Sequence, residues 1–159
     1  MRGEILLRYR LTTLKPKDFL RVWIEHLARN ITEKNPALLF GKEEQKIIGY
    51  EFPPIENASK LLSDLLALYW SGLREPLRFL PRTSWAFARA IIEGKDAIEA
   101  GRKARSIWRG NEREGRGEQE DAYLKLAFRN VRDVLDEAWQ ETSRRVLLPL
   151  LAACHDSRI

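Results

Sequence analysis

The sequence has one cysteine and two histidines, and these low counts exclude several kinds of site. Cys154 has no second cysteine for an internal disulfide, which favours a reducing cytoplasmic compartment. One thiol cannot build a cysteine-based zinc site, and His26 has no histidine, cysteine or aspartate at i+4. Cys154 and His155 are adjacent near the C-terminus, without a frame that would orient them as a catalytic dyad. We therefore predict no bound metal or cofactor.

Long apolar runs are also missing. The longest are only a few residues, far short of the ~20 that a membrane helix needs. The first ten residues, MRGEILLRYR, contain neither a long apolar stretch nor a small-residue cleavage site. We expect a cytoplasmic chain that does not contact a membrane.

What the chain does have is charge, with arginine in excess. Its 159 residues are 44% hydrophobic and 32% charged, and the net charge is +5. This composition is typical of a folded domain rather than a disordered one. Arginine outnumbers lysine by about two to one, and guanidinium groups suit phosphate forks and charged interfaces. The composition favours an anionic partner or a protein partner.

The hydrophobic pattern predicts an α+β domain that is mostly helical, with a small sheet. Residues 4–10 indicate a strand and 16–30 an amphipathic helix, and 37–52 indicate a hairpin around a charged connection. Five helices should follow. We interpret 1–159 as a single domain, and a strand that starts so near the first residue suggests that it is a fragment of a longer chain.

Three local expectations accompany this outline. The helix from Ala58 to about Arg74 has a wide apolar face, so we expect it to be central, with Trp70 in the core. Residues 110–120 contain three glycines and no apolar residue, which predicts an exposed loop. The C-terminal residues after the last helix are expected to fray.

Two groups of charged residues are candidates for chemistry. Glu43, Glu44 and Lys46 resemble the acid-x-lysine part of a metal nuclease site, but a hairpin tip carries such charges for solubility, and we favour that interpretation. The candidate phosphate surface consists of cations around a proline loop and on the following helix, and a solvated face is its alternative. Its members are Arg78, Arg82, Arg89, Arg102, Lys103 and Arg105. Trp108, between Arg105 and Arg109, either stacks on a base or packs under the loop, and packing is favoured.

The stretch LLALYWSGLREPLRFLPRTSWAFARA, residues 65–90, resembles the C-terminal region of the RecC family, the gamma subunit of exodeoxyribonuclease V. Two further stretches agree with it, one from Asp121 to Arg129 and one from Leu20 to Leu27 that contains Trp23 and His26. The three stretches occur in order and span nearly the whole chain.

The resemblance implies that the chain is the C-terminal end of a larger subunit, with a fold like that of the PD-(D/E)XK nucleases. In active relatives an acid-x-lysine tripeptide ends a strand, and that tripeptide falls here on Arg8-Tyr9-Arg10. A guanidinium cannot ligate Mg²⁺, so Arg8 would replace a metal ligand with a charge of the wrong sign. The resemblance therefore implies a degenerate, noncatalytic domain in which Arg8 and Arg10 contact DNA phosphate or a partner subunit, or pair with nearby glutamates.

The expected function is to hold DNA and to dock the alpha and beta subunits of exodeoxyribonuclease V during double-strand-break repair and recombination. The candidate contact residues are Arg8, Arg10, Arg78, Arg82, Arg102 and Arg105. Two alternatives stay open at this point: a metal-dependent nuclease domain, and a pure protein-interaction domain without DNA contact.

Overall fold

The structure is a computed structural model that describes residues 5–111 and 115–157. Its chain divides into two compact units, Met1–Ala67 with Pro149–Ile159, and Leu68–Leu148. Helices and a small sheet occur together, so the predicted α+β class is confirmed. None of the helices within the described ranges has both the length and the apolar content needed to cross a bilayer.

The first unit contains a sheet of four strands: β1 (Leu6–Tyr9), β2 (Ala37–Glu43), β3 (Lys46–Phe52) and β6 (His155–Ser157). Their order in the sheet is β1-β2-β3-β6. β1 runs parallel to β2, β2 and β3 form an antiparallel hairpin, and β6 pairs antiparallel with β3. The C-terminal residues 155–157 thus form an edge strand, and the expected fraying there is wrong.

Helix α1 (Pro16–Asn30) packs on one face of this sheet because its apolar residues recur every three to four positions. Trp23 is buried against Phe52, with ring centroids 6.0 Å apart. Phe19 meets Tyr50 edge to face at 4.9 Å. Pro16 occupies the first turn, where its missing N–H costs no helical hydrogen bond. The predicted helix over 16–30 is confirmed.

The hairpin turn is tighter than the sequence suggests. A charged connection from Gly41 to Lys46 was expected, but β2 continues to Glu43 and the turn consists of Glu44 and Gln45. Gly41 lies inside the strand because the Leu14 side chain fills the space where a Cβ would stand. Glycine here marks close packing rather than a turn.

The second unit contains the helices α3 (Pro81–Ile92), α4 (Ala97–Arg109) and α5 (Ala122–Ala127). A two-stranded ribbon, β4 (Gly110–Asn111) with β5 (Gly115–Arg116), and a short 3₁₀ helix (Glu118–Glu120) connect α4 to α5. The aspartates before α4 and α5, Asp96 and Asp121, each accept two backbone N–H bonds as N-caps. Buried residues in and next to α3, in α4, after α5 and at the start of α6 (Glu137–Ala153) form the core of this unit: Leu80, Phe87, Ala90, Ala100, Ala104, Phe128, Val134, Leu135 and Trp139.

A buried polar network fixes α3 in this unit. The Nε1–H of Trp139 donates to the Ser84 hydroxyl at 2.9 Å, and the Ser143 hydroxyl donates to the same oxygen at 2.8 Å. Ser84 lies one turn inside α3, which begins at Pro81, and its hydroxyl also accepts the backbone N–H of the N-cap residue Leu80 at 3.2 Å. The hydroxyl therefore serves both the start of the helix and tertiary packing.

Helix α2 (Ala58–Gly72) and helix α6 (Glu137–Ala153) extend from one of these sequence ranges into the other. The expected central position of α2 is wrong for much of its apolar face. Tyr69 is 59% exposed and Trp70 64% exposed, and Leu73 just beyond the helix is exposed as well. α6 continues through Pro149 and ends at Ala153.

Candidate nucleic-acid and partner interface

Arg8 lies in β1, on the sheet face that α1 covers, because it is in register with Leu39 and Tyr50. Its Nε donates to Glu25 of α1 at 2.9 Å. Its Nη1 donates to the carbonyl oxygen of Leu7 in its own strand at 3.2 Å. The guanidinium thus binds a helix carboxylate and a backbone oxygen at once.

Arg10 follows β1 and makes the stronger of the two ion pairs. Its Nη1 donates to both carboxylate oxygens of Asp18, at 2.8 Å each, and its Nε donates to the Thr12 hydroxyl at 2.7 Å. Asp18 also accepts the backbone N–H of Lys15 at 2.8 Å, in the first turn of α1. A carboxylate at a helix N-terminus is stabilised by the helix dipole, so Asp18 suits both partners.

The other candidate cations lie in the second unit. Arg78 binds the carboxylate of Asp136 and donates to the Asp133 carbonyl at 3.4 Å. Arg105 pairs with the Asp133 carboxylate at 3.6 Å, so Asp133 brings Arg78 and Arg105 together. Arg102 is exposed on α4 and forms no ion pair with another residue that the structure describes.

Arg82 is separate from that group and contacts the connection between α4 and α5. Its Nη1 donates to the Arg116 carbonyl at 3.1 Å. The backbone N–H groups of Arg82 and Thr83 donate to the Glu118 carboxylate at 3.0 and 2.7 Å. Glu118 is buried and caps α3 from another part of the chain, so the expectation of an exposed loop over 110–120 is wrong at this residue. Residues 112–114 of that loop lie outside the described residues.

A cleft of about 680 Å³ contains cations that the sequence analysis did not select. We call it the basic cleft. Its charged lining residues are Arg105, Arg109, Lys125, Arg132 and Asp133, and Trp108 and Phe128 are among its apolar ones. Arg109 stands four residues after Arg105 on α4, a spacing that places both on one helix face, so helical periodicity could have linked these two. Lys125 and Arg132 are far from α4 in sequence, and only the fold brings them there.

The expected packing of Trp108 agrees with the structure. It is half-buried and packs against the core of the second unit, and its ring also lines the basic cleft. A tryptophan that is held by the core and faces a cleft forms a rigid wall.

The acidic residues at the hairpin tip lie where the solubility interpretation expects them. Glu43 and Lys46 are opposite each other in the last pair of the ladder, and Glu44 occupies the turn with φ of 53°. All three are exposed. Among the described residues, no group of three or more histidine, cysteine or acidic side chains is arranged to hold a metal ion.

His26 lies on the buried face of α1 in a network of hydrogen bonds between uncharged groups. Its Nε2 lies 2.9 Å from the Pro53 carbonyl oxygen, and its Nδ1 lies 3.2 Å from the Asn30 amide nitrogen. Because a carbonyl only accepts, Nε2 carries the proton and Nδ1 accepts from Asn30. Burial lowers the pKa of His26, and the bond to Pro53 opposes part of that change. Asn30 also accepts the Ile55 N–H at 2.8 Å, so the network joins the end of α1 to the segment after β3.

The structure is therefore that of an α+β protein with a small mixed sheet, with arginines in and directly after β1. The profile of the RecC C-terminal domain family matches residues 1–92. The chain belongs to that family.

Three curated relatives agree with the match, and each is a RecBCD enzyme subunit RecC. The protein of Escherichia coli K12 is 29% identical in an alignment 157 residues long, which covers 91% of this chain and 14% of the relative. The protein of Buchnera aphidicola from Schizaphis graminum is 32% identical over 84% of this chain, and that from Acyrthosiphon pisum 26% over 92%. The chain thus spans 14% of the length of the relatives that it matches.

Proposed function

We propose that this chain is a noncatalytic domain of a RecC-type subunit that holds DNA and docks the alpha and beta subunits of exodeoxyribonuclease V, in cytoplasmic double-strand-break repair. The observation that carries the proposal is the pair of arginines in and after β1. Arg8 and Arg10 stand where the resemblance implies the metal-binding tripeptide of active nucleases. Both are bound to carboxylates of α1.

The chemistry at this position opposes metal catalysis. Mg²⁺ takes oxygen ligands, and a guanidinium offers only N–H donors and a positive charge. The carboxylates nearby, Asp18 and Glu25, are already occupied by the two arginines. Arg10 cannot replace the lysine of active relatives in proton transfer, because a guanidinium does not deprotonate in proteins.

The DNA-holding part of the proposal rests on cations that keep exposed surface. Arg102 has no ion-pair partner among the described residues, and the Arg105 side chain stays 42% exposed beside Asp133. Phosphate contacts position a strand without reading its sequence, which suits a domain that holds DNA while partner subunits act on it. Arg8, Arg10 and Arg78 have a smaller part in this proposal, since each already binds a carboxylate.

The docking part rests on apolar surface that a solitary domain does not need. Tyr69 and Trp70 stack edge to face with ring centroids 5.9 Å apart while both remain exposed. In the first unit, Leu7 and Tyr9 point away from α1 and are exposed on the open sheet face. Exposed aromatic groups are enriched where proteins meet. They also favour the second candidate function, protein interaction without DNA contact.

A native gel tests the proposal against both alternatives. The chain is titrated into end-labelled forked DNA with Mg²⁺, with and without a chelator, over a salt series. An intact shifted band that fades with salt is the expected result. Mg²⁺-dependent shortening would overturn the noncatalytic assignment and point to Glu43, Glu44 and Lys46. Intact, unshifted DNA would overturn the DNA-holding part and leave the interaction function.

A further inference from the structure

The basic cleft of the second unit gathers cations from separate segments around one concave surface. α4 supplies Arg105 and Arg109, α5 supplies Lys125, and the segment after α5 supplies Arg132. Apolar side chains line it as well, with Trp108, Phe128 and Val134 among them. The lining therefore combines charged groups with aromatic and aliphatic ones.

The charges of the basic cleft are only partly balanced. Asp133 is its one acidic lining residue, and it pairs with Arg105 at 3.6 Å. Lys125 binds Glu120 at 2.8 Å, and this contact lowers the pKa of Glu120. Arg109 and Arg132 are exposed and form no ion pair with any other residue in 5–111 or 115–157. With four cations and one carboxylate in its lining, the basic cleft has a net charge of +3.

This arrangement has an electrostatic cost that a bound anion would relieve. Arg105 and Arg109 are like charges at i and i+4 on one helix, a spacing that destabilises a helix slightly. A concave surface with charges of one sign concentrates oppositely charged ligands. An anion with several phosphates along a flexible chain fits cations that are spread around a cleft.

Trp108 in the lining favours single-stranded over double-stranded DNA as the ligand. Single-stranded DNA is bound by a basic groove together with aromatic side chains on which bases stack. Trp108 has the required rigidity, because it packs against the core cluster while lining the basic cleft. A duplex keeps its bases inside the stack and would not use this ring.

We infer that the basic cleft binds the phosphodiester backbone of single-stranded DNA, with Arg109 and Arg132 as the main phosphate contacts and Trp108 as a stacking wall. This inference rests on the proposed DNA-holding function and names its surface. Asp133 lowers the affinity for DNA, since its negative charge repels the phosphates.

The test uses the whole chain and a fluorescein-labelled oligothymidylate of about 20 nucleotides, followed by fluorescence anisotropy over a salt series. Arg109→Gln and Arg132→Gln should each weaken binding about fivefold near 0.1 M salt and make the salt slope shallower by about 0.7. Asp133→Asn should strengthen binding severalfold. Asparagine can still accept the Leu135 N–H that Asp133 accepts at 3.0 Å, so the local fold is kept. The matched control is Arg145→Gln, an exposed arginine of α6 outside the basic cleft.

The outcomes separate this inference from the function on which it rests. Loss in the two arginine variants with gain in Asp133→Asn, and no change in Arg145→Gln, supports the basic cleft. Tight binding by the unaltered chain that none of these variants changes would overturn the basic cleft and keep the DNA-holding function. Failure of the unaltered chain to bind DNA would overturn both. Competition by inorganic phosphate at the same phosphate concentration would identify a small-anion site and overturn the single-strand assignment.

Discussion

One nitrogen of Arg10, Nη1, donates to both carboxylate oxygens of Asp18 at 2.8 Å, and this contact joins the end of β1 to the first turn of α1. The Asp18 side chain is only 19% exposed, so the pair is better shielded from water than an ordinary surface ion pair. The junction of β1 and α1 is therefore held by an internal contact between two charged side chains.

Asp18→Ala should lower the free energy of unfolding by about 1–3 kcal/mol, because it removes a helix cap and leaves Arg10 without its carboxylate partner. Arg10→Gln should cost less, since the cap to Lys15 survives. Urea unfolding measures both. Arg21→Gln is the control, because this arginine is 77% exposed and should change stability by less than about 0.5 kcal/mol. Equal, small effects at Asp18 and Arg21 would contradict a structural role for the pair.

Stability should depend on pH through His26. The pKa of His26 is lowered in the folded chain from its ordinary 6.5, so the unfolded chain binds the proton more readily. The stabilising contribution is present above about pH 6.5 and is lost as pH falls toward the folded pKa, with a slope of at most about 1.4 kcal/mol per pH unit. Denaturant unfolding between pH 5 and 7 should show the slope in the unaltered chain and in His155→Gln, but not in His26→Gln. The same slope in His26→Gln would assign it to another group.

Glu118→Ala should destabilise the second unit by about 1–3 kcal/mol, because two backbone N–H groups at the start of α3 lose their acceptor. Glu118→Gln should cost less, since its amide oxygen still accepts one of them. Thermal unfolding followed by circular dichroism gives the order of the variants. Glu75→Ala removes an exposed carboxylate and serves as the control. A melting temperature unchanged in Glu118→Ala would show that the cap does not stabilise α3.

Trp70→Ser should leave stability within about 0.5 kcal/mol, since the indole is 64% exposed. Trp139→Ser should cost about 3–5 kcal/mol, because this indole is fully buried and its Nε1–H binds Ser84. The two variants remove the same side chain, so urea unfolding compares them directly. A larger loss of unfolding free energy in Trp70→Ser than in Trp139→Ser would contradict the exposed position of Trp70.

Periodicity and capping chemistry predicted most elements of the fold. The amphipathic stripe of α1 is a local signal, and the structure confirms the helix that it predicts. β6 could not be predicted, because its strand conformation comes from pairing with the distant β3. Trp70 was placed in the core because an apolar face on a helix does not say whether another element covers it.

The candidate site was less accessible to sequence reasoning than the fold. Arg8 and Arg10 were selected by resemblance, with pairing to nearby glutamates as one option; Arg8 pairs with Glu25, whereas Arg10 pairs with Asp18. Both partners belong to α1, and only the packing of α1 against the sheet brings them to the arginines. The basic cleft was missed because Lys125 and Arg132 come from separate segments, and a charge count along the chain does not reveal which cations converge.

The bond from Arg8 to the Leu7 carbonyl also bears on how the molecule behaves at high concentration. β1 is an edge strand, and exposed edges invite pairing with other chains and growth into aggregates. Here the Arg8 guanidinium donates a hydrogen bond to the outward-facing carbonyl oxygen of Leu7, and Glu25 binds the same guanidinium. The Arg8 guanidinium thus covers part of an edge that could otherwise pair with other chains, and its removal should raise the tendency of the molecule to aggregate.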